Sequence, residues 1–106
     1  MDVVKKIIME DQQNELTVKE IAARAGISMH YMMHYFKKVT GTTITEYKNA
    51  IKIASAKKQL IHSDKSMAEI AQSCGFGSSS YFSKMFVRSE HISPLEYRKM
   101  LQKSTK

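Results

Sequence analysis

The sequence predicts an all-α fold of seven helices, built from two copies of one unit. The first observation behind this prediction is an internal repeat. Residues 17–26 (TVKEIAARAG) are matched about fifty positions later by residues 66–75 (SMAEIAQSCG). The second is the spacing of apolar residues, which is helical along the chain, with no run alternating at period two for long enough to predict a strand.

Four copies of the tetrapeptide Ser/Thr-x-x-Glu predict where four of the helices begin. In this capping box the hydroxyl accepts a hydrogen bond from the N–H three residues later, and the glutamate accepts one from the N–H of the capping residue. Pro94 occupies the first helical position of the last box, where its missing N–H costs nothing. The four boxes are Thr17/Glu20, Thr43/Glu46, Ser66/Glu69 and Ser93/Glu96.

The ends of three helices are predicted by glycines. Glycine readily adopts the left-handed conformation that follows a helix, and Gly26, Gly41 and Gly75 follow the second, third and fifth helical patterns. The predicted helices are 3–12, 18–25, 29–40, 44–61, 67–74, 79–89 and 94–102.

Each repeat therefore contains a short helix, a glycine turn and a second helix, which is the helix-turn-helix arrangement. We predict a first helix-turn-helix unit over 1–42, a linker helix over 43–62 and a second unit over 63–106, together forming one domain. The expected core residues are Ile21, Ile27, Met32, Phe36 and Val39 in the first unit, and Ile70, Phe76, Phe82, Met85 and Phe86 in the second.

The composition narrows the class of function. A net charge of +7 on 106 residues favours a polyanionic partner, nucleic acid before an anionic membrane surface. No apolar run approaches the ~20 residues that span a bilayer, and the single cysteine excludes an internal disulfide and a cysteine-based metal site. These features predict a cytoplasmic protein without a cofactor. No phosphate-binding loop, nucleophile elbow or paired carboxylates point to an enzyme.

Motifs in both units and in the linker helix match one known pattern. The second unit contains GFG at 75–77, SYFSKxF at 80–86 and SPxxYR at 93–98. The first contains IAxxAG at 21–26, with FKKxxG following it, and KIxxAKxxL lies on the linker helix. Together these motifs resemble the DNA-binding domain of the AraC/XylS family of bacterial transcription regulators. The resemblance implies that each unit places a recognition helix in the major groove of duplex DNA.

The same resemblance implies partners and a larger protein. The expected partner is promoter or operator DNA, with RNA polymerase as a second candidate and no catalytic role. Members of this family usually carry another domain that binds an effector, dimerises or receives a phosphoryl group. We therefore favour a fragment over a stand-alone protein, monomeric by itself and dimeric through the further domain. A helix-turn-helix module that docks proteins and a basic module at a membrane surface are the alternatives.

The chain departs from the family pattern near the end of the sixth helix. Where Phe-Gly is usual, this chain has Glu90-His91. Val87 stands where a basic residue is frequent, and Lys52 stands where arginine is frequent. Burying a glutamate in place of a phenylalanine costs about a few kcal/mol. We therefore expect Glu90 to turn outward, the local turn to be irregular, and the second unit to hold DNA more weakly.

The second helix of each helix-turn-helix unit has an outward face. At 100° per residue this face lies opposite the predicted core, and readers of sequence lie towards the N-terminal part of such a helix. Lysine and serine can donate to base edges, and methionine can contact a thymine methyl. The predicted base-reading residues are His30, Met33, His34 and Lys37 in the first unit, and Ser79, Ser80, Ser83 and Lys84 in the second.

Phosphate contacts are expected from basic side chains and from the capped starts of the second and fifth helices, where N–H groups can bind an anion. A linker helix of about 18 residues is about 27 Å long, against about 34 Å for one turn of B-DNA. One monomer should therefore cover two successive major-groove segments. The predicted phosphate contacts are Thr17, Lys38, Lys57, Lys58, Ser66 and Arg88.

Several residues have a competing interpretation. His30 and His34 are spaced to hold a metal, but no third ligand lies at a matching position, so DNA contact is preferred to zinc. Cys74 is interpreted as a buried structural thiol rather than a redox sensor. Tyr47 and Tyr97 are interpreted as core anchors of the capped helices rather than platforms for bases. Because the outward faces of the two units differ, we expect a non-palindromic site in two parts.

Overall fold

The computed structural model describes residues 1–11 and 16–104. All regular secondary structure in these residues is helical, which confirms the predicted all-α class and the seven helices. The helices are α1 (Asp2–Glu10), α2 (Val18–Ala25), α3 (Met29–Thr40), α4 (Ile44–His62), α5 (Met67–Ser73), α6 (Ser79–Glu90) and α7 (Pro94–Ser104).

The predicted helix bounds agree with the observed ones most closely where caps are explicit. Both bounds of α2 and α3 are as predicted, and α4, α6 and α7 continue one or two residues beyond their predicted ends. Helix α5 ends one residue early, with Cys74 as its C-cap. Helix α1 ends at Glu10, and the predicted end at Gln12 lies outside the described residues.

The chain divides into two compact units, Met1–Ile51 and Lys52–Lys106, so the boundary falls within α4. The core of the first unit surrounds Phe36, whose side chain is fully buried and whose ring meets that of Tyr47 edge-on, with 5.4 Å between centroids. Tyr47 is thus a core anchor, as predicted. The buried residues of this core are Val4, Ile8, Ile21, Ala22, Met32, Phe36 and Ile44.

One predicted core residue of the first unit is wrong. Val39 is 67% exposed, because Thr40 takes the inward position in the last turn of α3. The Thr40 hydroxyl donates to the Phe36 carbonyl at 2.6 Å, a bond to the preceding turn that satisfies the threonine hydroxyl within its own helix. The apolar spacing alone favoured valine at this place.

The core of the second unit is built around aromatic rings. Phe82 lies between Phe76 and Phe86, at centroid distances of 5.2 and 5.8 Å, and Phe86 meets Tyr97 edge-on at 5.3 Å. Such edge-on pairs are favourable beyond the area they bury. Cys74 is buried, as predicted. The buried residues of this core are Ile53, Ala56, Leu60, Ile70, Ala71, Cys74, Phe76, Phe82 and Phe86.

Helices α2 and α5 both begin with a capping box. The N–H of Glu20 donates to the Thr17 hydroxyl at 3.1 Å, and the N–H of Thr17 donates to the Glu20 carboxylate at 3.0 Å. Ser66 and Glu69 repeat both bonds at 3.1 and 3.0 Å. The hydrogen bonds from the Thr17 and Ser66 N–H groups hold the pKa of the Glu20 and Glu69 carboxyls below the ordinary value. The caps therefore stabilise the fold above the unfolded carboxyl pKa, and this contribution is lost as the pH falls.

The turns between the helices of each unit also repeat. Gly26 and Gly75 have φ of +72° and +86°. After each glycine the next N–H donates back into the preceding helix, from Ile27 to the Ala22 carbonyl at 3.1 Å and from Phe76 to the Ala71 carbonyl at 2.9 Å. Glycine is needed there because a Cβ is disfavoured at positive φ. The repeated motif therefore specifies both ends of the short helix.

The end of α4 is closed by side chains of α7. The Arg98 guanidinium donates to the carbonyls of Leu60 and Ser63 at 3.0 and 3.2 Å, and the Gln102 amide donates to the same two carbonyls at 3.0 and 3.2 Å. A cation at a helix C-terminus also complements the helix dipole. Arg98 is therefore a structural residue of the second unit.

The turn after α6 is regular, so the expectation of an irregular one is wrong. His91 adopts the left-handed conformation at φ 67° and ψ 8°, and its N–H donates to the Val87 carbonyl at 2.7 Å. Gly41 closes α3 in the same way, at φ 83° and ψ −5°, with its N–H 2.8 Å from the Lys37 carbonyl. Histidine is one of the residues that tolerate this region better than most.

Replacing His91 with glycine is expected to raise the free energy of unfolding by about 0.5–1 kcal/mol, because the left-handed strain on the Cβ is removed while the unfolded chain gains some entropy. Urea unfolding followed by circular dichroism measures the change. Gly41→Ala is the matched control and should lower the free energy of unfolding by about 1 kcal/mol. A Cβ added at Gly41 would meet no atom within 4 Å, so the cost comes from the left-handed backbone conformation alone. A destabilised His91→Gly variant would show that the histidine ring contributes to the fold.

Candidate nucleic-acid interface

The first unit brings its four predicted base-reading residues together on α3. Ser28 caps the start of this helix, and its hydroxyl accepts a hydrogen bond from the Tyr31 N–H at 3.1 Å. His30, Met33, His34 and Lys37 are all exposed and line a groove of about 330 Å³. The remaining lining residues are Val18 at the start of α2 and Thr43, Ile44 and Thr45 at the start of α4.

The groove beside α3 combines cationic, hydrogen-bonding and apolar groups. The Lys37 ammonium carries three donors, and each neutral imidazole carries one donor and one acceptor. Val18 and Met33 supply apolar surface against which a thymine methyl could pack. The arrangement can contact base edges by both hydrogen bonds and apolar contacts, which is what direct readout in a major groove requires.

The second unit presents shorter side chains on α6. Ser79, Ser80 and Lys84 are exposed, Ser83 is half-buried, and Val87 is 43% exposed on the same face. Serine hydroxyls donate or accept, so they can contact either kind of base. Because these side chains are short, the backbone of α6 must come closer to a base pair than that of α3 to make an equivalent contact. The two faces therefore differ in chemistry and in reach.

Three exposed tyrosines were missed by the sequence analysis. Tyr31 and Tyr81 occupy matching places in α3 and α6, and their side chains are 48% and 45% exposed. The N–H of each tyrosine donates to the hydroxyl of the serine that caps its helix. Tyr35 packs against Tyr31, with 4.5 Å between ring centroids. A tyrosine hydroxyl can donate to a phosphate. The signal was present, because Ser-x-x-Tyr at 28–31 recurs at 78–81.

The predicted phosphate contacts at the helix starts are partly occupied within the protein. Because the Thr17 and Ser66 N–H groups already donate to Glu20 and Glu69, a phosphate at these positions would meet the hydroxyl hydrogen instead. The capping carboxylate also opposes an anion there. Lys38, Lys58 and Arg88 are exposed, as a contact with the DNA backbone requires.

Lys57 differs from the other predicted phosphate contacts because it forms an ion pair. Its ammonium lies 2.8 Å from the Glu90 carboxylate, with the two side chains 37% and 21% exposed. The hydrogen bond between them lowers the pKa of Glu90 and raises that of Lys57. Glu90 is thus half-buried and paired, whereas we expected it to turn outward. The paired state of Glu90 contributes stability above the unfolded carboxyl pKa and loses it as the pH falls.

No cluster of three or more histidine, cysteine, aspartate or glutamate side chains that could hold a metal ion occurs within the described residues. Nor does any helix in this part of the chain have the length and apolar character needed to cross a membrane.

Known proteins with similar sequences share one type of domain. A family model described as a helix-turn-helix domain matches residues 14–100. The chain is 37% identical over 84 residues to the HTH-type transcriptional activator RhaS of Klebsiella pneumoniae, an alignment that covers 79% of this chain and 30% of that protein. The chain spans between 30% and 34% of the length of the first curated relatives that it matches.

Solved structures show the same similarity. An AraC-type transcriptional regulator from Chromobacterium violaceum superposes with a TM-score of 0.86 at 26% identity, covering 92% of this chain and 88% of that one. The DNA-binding domain of AdpA, a global transcriptional factor in complex with a target DNA, superposes with a TM-score of 0.85 at 29% identity, covering 92% and 87%. The helix-turn-helix match includes both units, and this chain belongs to the AraC/XylS family of DNA-binding transcription regulators.

Proposed function

We propose that this chain binds one specific site in duplex DNA by placing α3 and α6 in successive major-groove segments, and that it acts in this way within a bacterial transcription regulator. The observation that carries the proposal is the exposed face of each helix. The side chains at the predicted reading positions of α3 all line one groove, and those of α6 are exposed or half-buried. The AdpA domain, which is similar over 92% of this chain, is in complex with a target DNA.

The two faces support a site with two different halves. Histidine, methionine and lysine in α3 offer long donors and an apolar contact, whereas α6 offers serines and one lysine. Since the faces share no reading residue type except lysine, the two half-sites should differ in sequence. The proposed operator is therefore bipartite and not palindromic.

Further parts of the proposal concern the protein's setting. We propose a cytoplasmic regulator whose activity lies in DNA binding rather than catalysis, with RNA polymerase as a further partner. The domain should be monomeric by itself. In a protein as long as the curated relatives, dimerisation would fall to a region beyond this domain.

Competition between two duplexes tests the proposed function. One duplex carries a site selected from a random pool, and the other carries the same bases scrambled; fluorescence anisotropy measures both affinities at several salt concentrations. We expect about a 1,000-fold preference for the selected site and a log–log salt slope of about −5, as when about six phosphates are neutralised. Equal affinity for the two duplexes would contradict specific regulation and leave only a basic surface. Failure to bind either would favour a protein-docking module.

A further inference from the structure

The ion pair between Lys57 and Glu90 lies within the second unit, and the residue of the first unit that matches Glu90 carries no charge. At the matching place, the last residue of α3, Thr40 is uncharged and its hydroxyl donates to the Phe36 carbonyl. The end of α6 is closed by the His91 N–H on the Val87 carbonyl at 2.7 Å, so backbone bonding closes the helix without Glu90. The Glu90 carboxylate is instead engaged by the Lys57 ammonium at 2.8 Å and by the Ser89 hydroxyl at 2.8 Å.

The position of Glu90 on α6 relates the pair to the proposed DNA contact. Successive residues advance by 100° around a helix, so Ser79, Ser83 and Glu90 fall along one stripe. The eleven steps from Ser79 to Glu90 rise about 16 Å at about 1.5 Å each, and the major groove is about 12 Å wide. With Ser79 at the base edges, Glu90 and its partner therefore reach the level of a flanking phosphate backbone.

We propose that Glu90 is an intramolecular competitor for the DNA backbone, which occupies the Lys57 ammonium and holds the second unit's affinity for DNA below what its basic side chains would give. This inference rests on the proposed function. A lysine paired with a carboxylate brings almost no net charge to a phosphate, and releases no counterion on binding. For Lys57 to contact DNA, the phosphate must displace Glu90, whose own charge repels it.

Competition of this kind would let Glu90 lower the affinity for DNA while having little effect on the stability of the fold. The two side chains are 37% and 21% exposed, so the pair contributes little to stability, as surface ion pairs generally do. The side chain of Glu90 would therefore be replaceable without loss of the fold. Its effect should appear in binding and in salt dependence, which a purely structural role would leave unchanged.

Glu90→Gln tests the proposal, because it keeps the size of the side chain and removes its charge. Against the selected duplex, we expect an affinity about 3- to 10-fold higher at low salt and a log–log salt slope steeper by about 0.9, as for one further neutralised phosphate. Asp64→Asn is the matched control: it removes an exposed carboxylate from the same unit, and should change affinity less than about 2-fold with an unchanged slope.

Glu90→Gln could raise the affinity for DNA by freeing Lys57 or by removing the repulsion between Glu90 and a phosphate. Repeating the substitution in a protein that lacks Lys57 separates these two effects. In a Lys57→Met protein, Glu90→Gln should give no more than the Asp64→Asn change. A gain of full size in that background would overturn the proposal, as would equal effects of Glu90→Gln and Asp64→Asn in the native background. Circular dichroism confirms folding, and Glu90→Thr, which introduces the residue found at position 40, serves if the glutamine variant does not fold. If the native protein fails to prefer its selected duplex, the proposed function fails first, and that result is seen without any variant.

Discussion

Replacing Phe86 with alanine is expected to lower the free energy of unfolding by about 3–5 kcal/mol. The side chain is fully buried, and its ring contacts those of Phe82 and Tyr97 at centroid distances of 5.8 and 5.3 Å. Truncation removes both ring contacts and leaves a cavity that the surrounding helices can fill only in part. Since domains are stable by roughly 5–15 kcal/mol, this loss is a large part of the total.

Urea unfolding followed by circular dichroism measures the effect of Phe86→Ala, and the repeat provides a matched comparison. Phe36 occupies the corresponding place in the first unit, is equally buried and meets Tyr47 at 5.4 Å, so Phe36→Ala should lose a similar amount. Phe86→Leu, which keeps most of the volume, should cost about 1 kcal/mol. A loss below about 1 kcal/mol for Phe86→Ala would show that the second unit does not depend on this aromatic core.

Replacing Lys37 with alanine is expected to weaken binding to the selected duplex by about 1–3 kcal/mol, or about 5- to 150-fold, and to relax the base preference at one position. The Lys37 side chain is exposed in the groove beside α3, with the two histidines and Met33. An ammonium can donate to both the O6 and the N7 acceptors of a guanine, and no other base presents this pair in the major groove. Anisotropy with the selected duplex and with single-base variants of it measures both changes.

Lys38→Ala is the control for that experiment, since it removes the same charge from the next residue of the same helix. Lys38 lies outside the groove, with its ammonium 5.8 Å from the Tyr35 ring centroid, and is predicted to contact phosphate. Lys38→Ala should therefore weaken binding to all duplexes by the same factor and reduce the log–log salt slope by about 1. If Lys37→Ala also weakens all duplexes alike, Lys37 contacts the backbone and does not read a base.

Local chemistry explains why much of the fold was predictable. The capping box at Thr17/Glu20 and the left-handed Gly26 fix the two ends of α2 within the segment itself, and both bounds of α2 were right. The same holds for α3, between Ser28 and Gly41. Val39 was misplaced because apolar spacing favoured it for the core, whereas the inward position belongs to Thr40, whose hydroxyl has a backbone partner.

The interactions that were not predicted join residues far apart in the sequence. The pairing of Lys57 with Glu90, and the closure of α4 by Arg98, each depend on how helices pack within the second unit. No local pattern specifies such a partner. The left-handed His91 shows a related effect, since the structure imposes on histidine the conformation that glycine has after α3.

The candidate site was predictable to the level of helix faces. Helical periodicity decided which side chains of α3 and α6 point away from the core, and the structure exposes seven of the eight predicted base-reading residues, with Ser83 half-buried. Tyr31 and Tyr81 were missed although Ser-x-x-Tyr occurs at matching places in the two units, because periodicity was used only to separate the core from the opposite face. Which base each side chain contacts depends on the DNA and on the approach of the helix to it, so those assignments stay predictions.

Selection of bound duplexes from a random pool, carried out with the native protein, Lys37→Ala and Lys84→Ala, tests most directly whether two different reading helices act on one site. We expect two separate blocks of preferred base pairs that are not inverted copies of each other. Lys37→Ala should flatten part of one block and Lys84→Ala part of the other, each leaving the second block intact. No enrichment with the native protein, a perfect inverted repeat bound by one monomer, or loss of the same positions in both variants would contradict this expectation.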